Sequence, residues 1–154
     1  MRPRIYVTNR QEGVSIDSGK VRRAAGKILG ALGLKDYELS IAIVDDAEIT
    51  RLNRQYFRRN RPTNVISFPM STGDPPDSPS RVLGDVVISV ETAQRQAAEA
   101  NRQGEEETLF LLIHGILHLV GYDHEGTAAE RRKMEAKERE LFFSLTAPGP
   151  GMDL

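Results

Sequence analysis

Polar and apolar residues alternate along RIYVTN (residues 4–9), where Ile5 and Val7 sit between polar neighbours. This period of two predicts a half-buried strand. Residues 17–32 change to helical spacing, with Val21, Ala24, Ala25, Ile28, Leu29 and Leu32 on one face, Asp17 or Ser18 to cap the start and Gly33 to end it. YELSIAIV (37–44) alternates again and is rich in β-branched residues, a second strand. Asp45 or Asp46 can cap a helix through Arg54, with Ile49, Leu52 and Tyr56 on its apolar side. Residues 63–68 (TNVISF), between Pro62 and Pro69, read as a short strand, and 82–90 (VLGDVVISV) as a fourth, in which Gly84 points to a bulge or a close backbone approach. An alanine-rich helix over 91–101 follows, ending near Gly104.

The next helix differs from the others. Glu105, Glu106 and Glu107 load its start, where negative charge meets the positive end of the macrodipole. From Leu109 to Val120 it is apolar nearly all round, the signature of a central buried helix. Gly121 suits a left-handed turn at its end. A last amphipathic helix over 127–145 turns Met134, Leu141 and Phe142 inward and carries a salt-bridge-laced outer face.

The order β-α-β-α-β-β-α-α-α predicts an α/β (α+β) domain, a small mixed four-stranded sheet packed with about five helices around the central buried one. At 154 residues the whole chain, 1–154, is expected to form one domain. The proline-rich STGDPPDSPS (71–80) is expected to be a mobile surface loop and residues 145–154 a frayed tail. No Gly-rich phosphate motif follows any strand.

Composition narrows the chemistry. The net charge of -1 announces no global affinity for nucleic acid, so local distribution has to carry that question. The lack of cysteine removes disulfides and thiolate ligands and fits a reducing compartment, so any metal must be held by histidine and carboxylate. MRPRIYVTNRQEG lacks the apolar run of a secretory signal, and the apolar stretch 109–120 is shorter than the roughly 20 residues of a membrane span. A cytoplasmic protein with no membrane partner is the expectation.

The three histidines of the chain, His114, His118 and His124, all lie in TLFLLIHGILHLVGYDHE. His114 and His118, four apart, project from one helix face, and the Gly121 turn can carry His124 back to them. A lone histidine on an apolar helix is more often a hydrogen-bonded core residue, but three unpartnered imidazoles among leucines would be costly to bury without a shared ligand. Three imidazoles plus an open position are what a catalytic Zn2+ site needs, although nickel or cobalt suits them too. The spacing matches the HExxHxxGxxH of metzincin proteases except that Gly115 replaces the general-base glutamate, which argues against proteolysis by that route. Glycine inside a helix costs about 1 kcal/mol relative to alanine, so Gly115 either leaves room for a substrate or admits a closely packed neighbour. Asp123 and Glu125 flank the third histidine and are candidates to orient a ligand or accept a proton; otherwise they are a turn residue and a solvated charge.

RLNRQYFRRNR (51–61) holds five arginines and no acid, interleaved with Tyr56 and Phe57. Charge runs are usually solvated faces, yet guanidinium forks with aromatic rings also suit phosphates and unstacked bases. Arg54, Arg58, Arg59 and Arg61, with Ser67 in the strand that follows, are the candidate RNA contacts. A metal beside an arginine clamp is an arrangement for cleaving phosphodiesters.

HGILHLVGYDH at 114–124 resembles the HGxLHLxGYDH signature of the YbeY endoribonucleases. LNRQYF (52–57), RPTNVISFP (61–69), LGDVVIS (83–89), Met134 and Glu138 follow in the family's order, so the resemblance spans nearly the whole chain. It implies a zinc-dependent, single-strand-specific endoribonuclease of ribosomal RNA maturation and quality control, working with the small ribosomal subunit and its proteins, with His114, His118 and His124 as ligands. Many members carry an arginine directly after the tyrosine of LNxxY; Phe57 stands there in this chain, so Arg58 and Arg59 are the candidates for that role, with Asp123 as a third catalytic candidate. The competing readings are a ribosome-associated assembly factor with a structural metal, and a metal-dependent hydrolase of another substrate.

Overall fold

The computed structural model describes residues 4–70 and 81–146. The elements are β1 (Arg4–Asn9), α1 (Ser18–Ala31), β2 (Tyr37–Val44), α2 (Asp46–Phe57), β3 (Val65–Pro69), β4 (Arg81–Ser89), α3 (Val90–Glu99), α4 (Gly104–Leu119) and α5 (Ala128–Thr146). The four strands form one mixed sheet in the order β1-β2-β4-β3. β1 runs parallel to β2 and β2 to β4, whereas β3 pairs antiparallel with β4 and forms an edge. The α+β architecture expected from the order of elements is the one observed. The expected mobile loop 71–80 lies outside the described residues, as does the tail from 147 onward. Leu145 and Thr146, expected to fray, close α5. No helix among the described residues is long and apolar enough to cross a membrane.

Strand alternation sends two sets of side chains to opposite faces of the sheet. Leu39, Ile41, Ile43, Val86 and Ile88 join the larger core with α1, α4 and α5. On the other face Val87 and Ile66 meet Val44 and Ile49, with Leu52 of α2 and Phe68 of β3 packed against them. Leu112, Ile113, Ile116 and Leu117 of α4 are each at most 1% exposed. Together they contribute roughly 6–12 kcal/mol of transfer free energy before chain entropy is set against it. That burial makes α4 the helix around which the rest is laid.

Gly84 is both bulge and close approach, as its place in the strand suggested. Glu38 pairs with Val82 but Leu39 with Gly84, so Leu83 is skipped in the ladder. Gly84 has φ +144°, and a Cβ there would sit 2.3 Å from the Phe68 carbonyl oxygen. Only glycine lets β3 come this near.

Several boundaries differ from expectation. α3 does not run to Gly104: Asn101, at φ 54°, makes the left-handed turn, and the Arg102 amide bonds back to the Ala97 carbonyl at 2.8 Å. Gly104 instead opens α4. α2 continues past Arg54 to Phe57 and stops with Arg58 at φ 58°, a left-handed cap on a residue that is not glycine. Tyr56, expected on the apolar face of α2, is 56% exposed. β3 begins at Val65 rather than at Thr63, and the Asn64 side chain takes up the Val65 amide at 2.7 Å. Pro69 fits the end of β3 because in the antiparallel ladder its missing N–H would face the open edge.

Candidate metal centre

α4 ends in a turn that fixes the third histidine. The Gly121 amide bonds to the His118 carbonyl at 3.1 Å and the Tyr122 amide to the Leu117 carbonyl at 3.0 Å, with Gly121 at φ +103°. This reverses the chain and returns His124 to the helix. The ring centroids of His114, His118 and His124 lie 4.8, 5.0 and 4.7 Å apart. One ring nitrogen from each falls within 4.8 Å of the others, a grouping able to hold a metal ion. His118 Nε2 and His124 Nδ1 are 2.7 Å apart. His114 and His118 are half-buried and His124 is exposed, so the group opens to solvent on the His124 side.

The residues fit a divalent transition metal on the chemistry of their donors. A metal needs neutral imidazole, and burial, with the two neighbouring rings, holds His118 below the ordinary histidine range. His114 Nδ1 is hydrogen-bonded to the Glu138 carboxylate. A proton held on Nδ1 by that carboxylate would leave the Nε2 lone pair as the metal donor, the usual way an outer carboxylate sets the tautomer of a metal-binding histidine.

Glu138 was matched in sequence, but its part here was not anticipated. It is only 6% exposed, on the inward stripe of α5 with Met134 and Leu141. A carboxylate at i+4 and i−3 from buried apolar residues was the signal available, since a buried carboxylate demands a partner. Asp123 and Glu125, singled out to orient a ligand or accept a proton, make no hydrogen bond to a histidine among the described residues. Asp123 Oδ1 accepts from the Glu125 amide at 2.9 Å, making a turn, and both residues are exposed. The Asp123 charge still reaches His118, whose proton it favours.

The alternatives at Gly115 resolve toward packing. A Cβ there would lie 2.7 Å from Val86 Cγ1 and 3.2 Å from Val65 Cγ2, so β3 and β4 fill the space and no substrate does. Ser67 Oγ donates to the Gly115 carbonyl at 2.8 Å, so its proton is committed to α4.

Arg54, Arg58, Arg59 and Arg61 are all exposed, at the end of α2 and in the loop beyond it. Buried Asn53 pins that loop, donating to the Arg61 carbonyl at 2.9 Å while its own carbonyl accepts the Arg59 amide at 3.3 Å. α2 packs on the sheet face opposite α4, so the arginines are not in the histidine group; β3 stands between the two. A cavity of about 590 Å3 opens at the far end of α4, between Val14–Lys27, Gly104–Leu112 and the end of α5, and none of the histidines lines it.

Fold and site together define an α+β protein built round a three-histidine group able to hold a metal ion. The family model described as Endoribonuclease YbeY matches residues 6–146. A Geobacter sulfurreducens relative named Endoribonuclease YbeY is 50% identical over 147 residues, 95% of this chain and 98% of the relative. One of the same name from Syntrophotalea carbinolica is 49% identical over 142 residues, covering 92% and 95%. A solution structure of a Thermotoga maritima protein aligns with a TM-score of 0.62 at 27% identity, over 92% of this chain and 88% of that one. The chain belongs to the Endoribonuclease YbeY family.

Proposed function

We propose that this protein is a zinc-dependent endoribonuclease that cuts single-stranded RNA in the maturation and quality control of ribosomal RNA. In this reading it works in the cytoplasm with the small ribosomal subunit and its proteins. The observation that carries the reading is the joined His114–His118–His124 group, with Glu138 behind His114, in a chain of this family. His114, His118 and His124 hold the ion. The chemistry an ion supplies there is Lewis-acid polarisation of the scissile phosphodiester. Glu138 keeps the proton on His114 Nδ1 and so keeps Nε2 available as a ligand. Arg54, Arg58, Arg59 and Arg61 bind flanking phosphates, with Arg58 and Arg59 the nearest in sequence to the Phe57 position. Asp123, whose charge favours the proton on His118, is the candidate for proton transfer at the exposed side of the group.

The test combines metal analysis of the purified protein with cleavage of a single-stranded RNA by wild type and His114→Ala. Wild type is expected to carry about one zinc per chain and the variant to lose both metal and cleavage. Equal cleavage by the two proteins identifies a contaminating nuclease and removes the reading. The termini of the products separate attack by water from attack by the 2′-hydroxyl.

A second reading, an assembly factor with a structural metal, draws on one observation. Glu138 is engaged by His114 and Asp123 by the Glu125 amide, which leaves the site without a free buried carboxylate among the described residues. A variant that unfolds on losing metal, from a wild type without cleavage activity, supports that reading instead.

A further inference from the structure

Three of the five large hydrophobic residues exposed among the described residues, Tyr56, Phe57 and Met70, fall at the end of α2 and just after β3. Tyr56 meets Phe68 edge-on, with ring centroids 5.0 Å apart at 66°. Phe57 stacks on the same ring at 6.4 Å and 28°. Phe68 is half-buried against the small core of Val44, Ile49, Ile66 and Val87, so the outer two rings rest on a base tied to the core. Tyr56 and Phe57 are 56% and 49% exposed, and each keeps about half its surface for something else.

The charge along residues 51–61 is of one sign, although Asp85 of β4 stands opposite Phe68 in the ladder. Arg54, Arg58, Arg59 and Arg61 are exposed and form no ion pair among the described residues, whereas Arg51 at the head of the run is paired with Glu48. Preset aromatic rings beside unpaired guanidiniums match a polyanion whose flat groups are free to stack. Duplex RNA keeps its bases inside the helix and offers no such faces. The edge position of β3 links this cluster to the histidines: Ser67 turns to the Gly115 carbonyl of α4, and Phe68, the next residue, turns to the rings of α2. A strand laid over that edge meets the rings on one side and the helix carrying the histidines on the other.

We propose that Tyr56 and Phe57, braced by Phe68 and flanked by Arg54, Arg58, Arg59 and Arg61, form a stacking platform for unpaired bases of single-stranded RNA. The platform rests on the endoribonuclease reading for its substrate and adds the residues that select unpaired over paired strands. Phe57 belongs to it as an aromatic face in its own right.

The test measures binding of a fluorescent, 2′-O-methylated single strand to the metal-loaded protein, beside a duplex of the same length and a strand with abasic positions. Tyr56→Leu with Phe57→Leu is expected to weaken single-strand binding about tenfold for each stacked base lost and to leave duplex binding unchanged. Tyr56→Phe, which keeps the ring, retains wild-type affinity. The abasic strand binds wild type as weakly as the intact strand binds the leucine variant. Unchanged single-strand affinity in the leucine variant, an equal loss toward single strand and duplex, or an abasic strand bound as tightly as the intact one overturns the platform. If the leucine variant melts early, the abasic comparison on wild type decides alone. Cleavage by His114→Ala is scored separately: a variant that cleaves like wild type removes the nuclease reading, whereas normal strand binding by the leucine variant removes only the platform.

Discussion

Replacing Gly115 with alanine sets two energies against each other inside α4. Helix propensity favours alanine by about 1 kcal/mol. Against it, the new methyl would stand 2.7 Å from Val86 Cγ1, 3.2 Å from Val65 Cγ2 and 3.3 Å from Ser67 Oγ. Val86 is 0% exposed, and its β-branched side chain has little rotamer freedom with which to retreat. Overpacking of this kind costs typically about 1–3 kcal/mol, so the net expectation is a loss of about 1 kcal/mol. For a chain of 154 residues that lowers the melting temperature by about 2–4 °C. The push also separates α4 from β3 at the Ser67–Gly115 hydrogen bond, one residue from His114, so metal affinity should fall together with stability. Thermal melts with and without metal, and competition with a chelator, measure both effects. A Gly115→Ala protein that melts about as much higher would refute the reasoning, because propensity would then have outweighed a contact the strands absorbed without cost.

Glu138→Ala should lower metal affinity by about 10- to 100-fold, read by chelator competition, since His114 loses the partner that sets its tautomer; unchanged affinity removes Glu138 from the site. Arg58→Gly relieves a left-handed residue and should raise stability by about 1 kcal/mol in urea unfolding while, on the proposed function, weakening RNA binding. The pH dependence of stability has two signs. Burial alone would raise Asp46, but hydrogen bonds from Thr92, Ser89 and Arg95 hold it below its ordinary 3.8, so its contribution is present above that value and lost as pH falls through the folded pKa. Asp46→Asn should therefore lower neutral-pH stability and flatten the acid limb of the curve. Burial raises Asp85 against the opposing hydrogen bond with Ser40, so its ionisation opposes folding as pH rises past 3.8, and Asp85→Asn should stabilise at neutral pH. Urea midpoints across pH for the two variants check both signs.

The sequence by itself determined the parts governed by local periodicity. Alternation located all four strands, helical spacing located five helices, and the H-x3-H-x5-H spacing with Gly121 brought three imidazoles together, because a helix turn and a tight reversal leave little freedom over eleven residues. What only the tertiary structure decided depends on elements far apart in the chain. Glu138 lies 24 residues beyond His114; its spacing from Met134 and Leu141 put it on the inward stripe of α5, but nothing local said which side chain would meet it there. Gly115 was open to either reading until β3 and β4 filled the space beside it. The arginine run looked adjacent to the histidine site, yet α2 packs on the other face of the sheet. Strand and helix periods fix which face a side chain takes within its own element; which partner meets that face is set by the packing of the whole core.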